Sequence, residues 1–333
     1  MTNQAVQDLL TNSSNQSITF PSLDDNQQNS SFLMSWRTSL LVLNASIFII
    51  STVGNGLVCF IILRRRTMKS VVNHLILNLA VADLIFTCIC IPFDTPLQYM
   101  DNVWPYGAFM CKLIYPLQTE TLFASVYTLV ALSLTRYWAV VYPLHQQLAT
   151  QRVKWIILVI WVISFVPVTP YMAVLNLNRT NLKCEEKWKD LSSRKAYTVS
   201  LFFLQYVIPL TVISCANVAI SLDLKRTSAN HERNVIRRTR TKEARKVSRM
   251  LITVTALFAA CVLPNNILWL WLDFGAADKH FVYFWEISSL GNVIVFSNGA
   301  MNPICYTVMN KAFRKEMRQL LLNCFHKKKS LPQ

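Results

Sequence analysis

The chain has 333 residues, 53% hydrophobic and only 15% charged, against about 25% charged for an ordinary soluble domain. With only 6 glycines as well, that balance argues against a soluble globular protein and for a membrane one. A formal net charge of +16 raises a nucleic-acid partner, and 9 cysteines, an odd number, exclude a fully paired disulfide framework.

Residues 1–31 are polar, rich in Asn, Ser and Gln, and hold no apolar core of a cleavable leader, so none is expected. The composition predicts a disordered tail over 1–37. Asn12, Asn15 and Asn29 each open an acceptor triplet for N-glycosylation. Seven apolar stretches follow, at about 38–63, 71–98, 108–141, 152–175, 197–224, 245–272 and 281–306. Each reaches the roughly 20 residues a helix needs to cross a bilayer. Residues 310–322 are amphipathic, with Phe313, Met317, Leu320 and Leu321 on one helical face, and are expected to lie along the membrane surface. Cys324 at their end is a candidate for palmitoylation, with a free thiol as the alternative. The predicted fold class is an all-α membrane protein: a seven-transmembrane helix bundle over 38–308, then a short amphipathic helix and cytoplasmic tail over 309–333.

Orientation follows from charge. The segments after spans 1, 3, 5 and 7 hold 24 Lys and Arg, 10 of them in 225–249, and the opposite side holds 9. The basic side is expected in the cytoplasm and the N-terminus outside. The net positive charge is then mostly a topology signal, and no nucleic-acid partner is expected. A fourth acceptor, Asn178, also falls outside, whereas Asn44 lies inside span 1 and is expected to be unused.

Spans alone do not give a function. The chain also carries Gly54-Asn55 in span 1, Asn78-Leu79-Ala80-Val81-Ala82-Asp83 in span 2, and Trp104 and Cys111 before span 3. Thr135-Arg136-Tyr137 ends span 3, and Tyr142-Pro143-Leu144 follows. Then come Trp161, Cys184, Pro209, Phe258, Pro264 and Asn302-Pro303-Ile304-Cys305-Tyr306. In order and spacing this set resembles the rhodopsin-like (class A) G-protein-coupled receptors over about residues 38–325.

The resemblance implies a plasma-membrane receptor without enzymatic chemistry, partnered by an extracellular ligand, membrane lipid and a heterotrimeric G protein. It implies a disulfide between Cys111 and Cys184, which are also the two cysteines on the oxidising outer side; two free thiols are the alternative. Prolines within spans kink helices, and Pro264 and Pro303 become candidate hinges, static shape being the other reading. Asp83, with Ser125, Asn298, Asn302 and also Asn55, matches a cluster that holds a sodium ion in the resting family; a protonated, hydrogen-bonded Asp83 is the alternative. No other cofactor is implied. Arg136, with Tyr137, Asn302, Pro303 and Tyr306, matches the family's switch to the G protein, against a simple snorkelling arginine.

Four positions depart from the family. Thr135 replaces the acid that pairs with the arginine, Ala244 sits where some relatives have another acid beside Glu243, Val262 replaces a tryptophan and Asn217 replaces a tyrosine. Raised basal signalling is the expectation.

By the same resemblance the ligand cavity takes Gln118, Thr119 and Leu122 from span 3, Asn265, Asn266 and Trp269 from span 6, and Asn292 and Phe296 from span 7. Gln118 stands where amine receptors carry an aspartate, and Phe296 where opsins carry the retinal lysine, so neither an amine nor light is expected. Amides and aromatic rings suit a peptide, and the match looks most like neuropeptide receptors. Rim acids, among them Asp94, Glu185, Glu186, Asp273 and Glu286, could attract a basic peptide, or could be solvated loop charge mixed with Lys183, Lys187, Arg194 and Lys195. Glu120, a second acid within a span, is read as a protonated structural group, with a ligand contact as the alternative. Two other readings stay open: a scavenger that binds ligand with weak G-protein coupling, and a transporter or channel, which would usually show more intramembrane charge and an internal repeat.

Overall fold

The computed structural model describes residues 23–320, apart from 66–67, 98, 101, 144–145, 147, 231–234 and 312. Asn12, Asn15 and Cys324 lie outside the described residues. Helix α1 runs Leu23–Arg64, α2 Val71–Leu97 and α3 Gly107–Val141. The fourth crossing, α4, spans Thr150–Val174 and includes a 3-10 turn at Val166–Val168 around Pro167. The fifth, α5, joins Leu191–Phe202, a π-helical segment Phe203–Val207 and Ile208–Asn230. Helix α6 runs Val235–Gly275 and α7 Phe284–Met309. A short helix, α8, covers 313–320.

Helices α1 to α6 each contain a stretch long and apolar enough to cross a membrane. Helix α7 has 26 residues. Its Asn292, Asn298 and Asn302 make it less apolar, and Asn298 and Asn302 are buried inside the protein. The outward faces confirm the solvent: α4 exposes Trp155, Val162 and Val166, an apolar surface that suits lipid rather than water.

The chain divides into two compact units, with the boundary after Leu41 in α1. In the first, Thr38 and Ser39 turn their hydroxyls back to the carbonyls of Met34 and Ser35. The helix includes residues 23–37, Asn29 among them, which the composition places in the tail; hydropathy does not read where a helix starts. The second unit holds everything that follows.

One apolar cluster in that unit draws Ile61 from α1, Leu79 from α2, Leu132 from α3, Ile160 from α4, Ile213 from α5, Phe258 from α6, Tyr306 from α7 and Phe313 from α8. Met317 and Leu320 pack against the same cluster, so the apolar face of α8 docks on protein. Arg65 and Glu316 clamp it to the inner end of α1 at 2.6 Å.

Between α4 and α5 the outer loop forms a β-hairpin, β1 Leu175–Asn178 and β2 Lys183–Glu186, antiparallel with Leu177 opposite Cys184. No strand was expected here. Two side chains build its turn: Asn178 Oδ1 accepts from the Thr180 amide and Asn181 Oδ1 from the Lys183 amide. A disulfide joins Cys184 to Cys111 at a Cα separation of 5.7 Å. Beneath it Leu175, Trp104, Cys111 and Ile114 form a second buried cluster.

Candidate functional site

The polar residues of the apolar spans are not scattered. Asn78 of α2 donates to Thr128 of α3 at 2.8 Å and accepts from the Trp161 indole of α4 at 3.0 Å, tying three helices through one amide. Asn55 of α1 donates to the Gly299 carbonyl of α7 at 2.9 Å. Close by, a Cβ on Gly54 would stand 2.6 Å from Pro303 Cγ, so only glycine lets α1 approach the α7 proline.

Asp83 lies beside Gly299 and is 2% exposed. Asn302 Nδ2 donates to its Oδ2 at 2.8 Å, and Ser125 is within hydrogen-bonding reach. Three amide oxygens of the neighbourhood, Asn55 Oδ1, Asn298 Oδ1 and Asn302 Oδ1, are buried without a hydrogen-bond partner. Buried acceptors left unpaired cost energy. A carboxylate beside orphaned amide oxygens is a donor set whose chemistry fits a hard cation.

At the inner end of α3 the picture reverses. Arg136 Nε is buried without a hydrogen-bond partner, and so is the Tyr306 hydroxyl. The preceding residue, Thr135, supplies no charge. Glu243 is not available either, because it pairs with Lys246 one turn along α6. Instead Arg245 of α6 donates to the Leu224 carbonyl of α5 at 3.0 Å. Tyr137 stacks edge-on with Trp138 and Tyr142.

In the outer half, Gln118 Nε2 donates to Asp94 Oδ2 of α2 at 3.4 Å. Thr119 spends its hydroxyl on the Tyr115 carbonyl of its own helix. Leu122 packs against the buried cluster that holds Phe86 and Phe296; Phe296 is 1% exposed and meets Phe86 edge-on at 5.5 Å. Asn265 Oδ1 is buried and unpaired beside Gly291 of α7. Asn266 bonds the Val262 carbonyl. Trp269 is 37% exposed, and Asn292 is half-buried.

The rim acids are not all solvated charge. Asp273 is buried and bridges Arg194 at 2.8 Å while accepting from Thr198, which ties the outer ends of α5 and α6. Lys195 rests over the Phe274 ring. Glu185 accepts from Asn178 and Asn181, and these bonds hold its carboxyl below the usual range. Glu186 is pushed up by burial, an effect the Trp188 indole N–H partly offsets.

Sequence reasoning missed the π-helical segment of α5 and its Gln205, 7% exposed with Nε2 unpaired. Tyr127 of α3 donates to the Leu204 carbonyl there, and Tyr206 reaches the Ala259 carbonyl of α6 near Pro264. The nearby Pro209 removes a helical N–H and is the only local signal.

Comparison with known proteins adds a family match: the model for 7 transmembrane receptor (rhodopsin family) covers residues 54–306. The RYamide receptor of Drosophila melanogaster is 32% identical over 300 residues, 86% of this chain and 64% of the relative, so the chain spans less than two thirds of that protein. Neuropeptide FF receptor 2 of Mus musculus is 32% identical, over 86% of this chain and 73% of its own length. Galanin receptor type 2 of Homo sapiens is 34% identical, over 84% and 72%.

Proposed function

This chain belongs to the rhodopsin family of seven-transmembrane receptors, and on that premise we propose that an extracellular peptide drives it to promote nucleotide exchange on a heterotrimeric G protein. The family places it in the plasma membrane as a multi-pass receptor with its N-terminus outside, and its members transmit signals rather than catalyse. The observation that carries the peptide reading is the chemistry of the outer half. Gln118, Asn265, Asn266 and Asn292 supply amides there and Trp269 and Phe296 supply rings, with no carboxylate at position 118 to pair an amine. The relatives are receptors named for RYamide, neuropeptide FF and galanin.

Ligand outside and G protein inside are coupled by a shared two-state element, and the coupling is reciprocal in binding free energy. Tyr206 and Tyr127 tie α5 to α6 and α3 near Pro264. At the inner end Arg136, Tyr137, Pro303 and Tyr306 form the switch face, where the unpaired Arg136 Nε and Tyr306 hydroxyl are free to take new partners. In the resting arrangement Asp83, Ser125, Asn298 and Asn302 would hold sodium, which would neutralise the buried carboxylate. Asn12, Asn15, Asn29 and Asn178 are the proposed glycosylation sites and Cys324 the proposed palmitoylation site. A glycan on Asn178 Nδ2 leaves one hydrogen for the bond to Glu185.

A peptide-library screen in cells co-expressing a promiscuous Gα tests the reading, with Arg136→Ala as control. Active peptides that lose their signal in the control support it. Ligand uptake without nucleotide exchange selects the scavenger reading, and ligand-gated current or substrate uptake selects a transporter or channel.

A further inference from the structure

Acids with different surroundings stand in the outer part of the protein, and two of them, Asp94 and Glu286, have a carboxylate oxygen buried with neither a hydrogen bond nor an ion pair; Glu286 sits in the first turn of α7, where the helix end favours its charge. Asp273 already has a cation, Arg194, and a hydroxyl donor. Glu185 is satisfied by two amides of the hairpin. Glu186 takes the Trp188 indole. Asp94 differs. Among the described residues no Lys, Arg or His bridges it, and its one side-chain donor is Gln118 at 3.4 Å, the long limit for such a bond. Its Oδ1 is buried without a hydrogen-bond partner. An uncompensated acid away from water is costly, and a cation with N–H donors is what offsets it.

The surroundings of Asp94 select among cations. Phe93 and Tyr106 meet edge-on at 4.8 Å, and Trp104 meets Tyr106 and Tyr115 at 5.1 Å each. Tyr106 donates to the carbonyl of Phe93, the residue before Asp94, at 3.3 Å, and Tyr115 packs in the same cluster. A planar guanidinium stacks on aromatic faces and is more weakly hydrated than an ammonium, so it loses less on entering such a place. Gln118 holds Oδ2, which leaves Oδ1 as the acceptor without a partner.

We propose that Asp94, steadied by Gln118 and bordered by Phe93, Tyr106 and Tyr115, is the subsite for an arginine guanidinium of the activating peptide. This rests on the peptide reading above and adds to it one residue type and one anchor. Asp273, which is buried where Asp94 is half-buried, is excluded as the first anchor because Arg194 occupies it.

The test uses the full receptor at the cell surface with a promiscuous Gα. A positional-scanning library of amidated hexapeptides supplies the probes, and each active arginine peptide is remade with citrulline, its neutral counterpart. Arginine to citrulline should cost about 30-fold or more in potency at the native receptor. In Asp94→Asn the same exchange should cost less than about 3-fold, because the charge it answers is gone. Asp94→Glu should restore most of the discrimination. If Asp94→Asn fails to reach the surface, Asp94→Ser is read by the same ratio. An equal citrulline penalty in native and neutralised receptors overturns the assignment. So does a set of active peptides indifferent to citrulline at every position, and both outcomes leave the peptide reading standing. A surface-expressed receptor that no library member activates overturns both.

Discussion

Around Asp83, helices α1, α2 and α7 exchange hydrogen bonds through buried side chains, whereas at the inner end of α3 the buried Arg136 Nε meets none. Both regions place ionisable groups among apolar helices, where such groups are functional by default. The first is over-determined: Gly54 admits Pro303, Asn55 grips Gly299, Asn302 grips Asp83. Among the described residues the second shows no acid on the arginine: position 135 is threonine and Glu243 pairs with Lys246. The difference teaches where this molecule resists change. Its middle fixes the relative placement of three helices, and its inner end, among the described residues, shows no acid paired with Arg136.

The comparison is tested most severely at Arg136. If the inner end exists to receive a G protein, Arg136→Ala should reduce peptide-driven nucleotide exchange by about 100-fold, with surface expression retained. Exchange measured in membranes with purified G protein reads this directly, and undiminished exchange would remove Arg136 from the switch. The over-determined middle predicts the next largest effect. Gly54→Ala puts a Cβ 2.6 Å from Pro303 Cγ, so the α1–α7 contact must open at about 1–3 kcal/mol. The apparent melting temperature of the purified receptor should fall, while Gly56→Ala, where a Cβ meets nothing within 4 Å, should leave it unchanged or slightly higher, since alanine is the better helix former. Equal melting temperatures for the two would deny the close approach.

Asp83→Asn separates the two readings of the middle itself. If sodium holds the resting arrangement, added sodium should weaken peptide affinity several-fold in the native receptor and have no effect in Asp83→Asn. Competition binding in sodium against N-methylglucamine buffers measures it. An equal response in both would leave the cluster as a hydrogen-bonded structural core.

Much of this was legible in the residues, for identifiable reasons. Span positions follow from hydropathy, because the bilayer sets a length that a run such as Val153–Phe165 must meet. The seventh span was legible despite Asn292, Asn298 and Asn302. The Asp83 neighbourhood was legible as residue types, and the geometry adds which oxygens stay unpaired. The β-hairpin was not legible: Leu175, Leu177 and Cys184 are too short a pattern, and its turn depends on Asn178 and Asn181 bonding backbone amides. The π-helical segment of α5 was hidden because hydropathy has no signal for backbone register. The pairing of Arg194 with Asp273, and its absence at Asp94, was equally hidden, since loop composition shows mixed charge and says nothing of which charges meet.

The smallest predicted effect bears most directly on the contrast between the two regions. Restoring an acid beside the arginine should make the inner end resemble the interlocked middle. Thr135 is half-buried, so a carboxylate there would gain only what a partly solvated ion pair gives, about 0.5–1 kcal/mol. That energy acts on the resting arrangement alone, because the pair must break when Arg136 turns to a G protein. A shift of this size lowers the active population, and so basal exchange, by about 2- to 5-fold where the active state is the minor one. Thr135→Asp should therefore signal less than the native receptor without peptide, and should need a higher peptide concentration for half-maximal exchange. The maximal response should be reached all the same, since the bound peptide supplies more than the added pair removes. Nucleotide exchange at matched surface expression, with and without peptide, reads both quantities. Unchanged basal exchange in Thr135→Asp, or a native basal level no higher than in mock cells, would mean that the inner end is held shut by other contacts, of which the Arg245 bond to the Leu224 carbonyl is the first to examine.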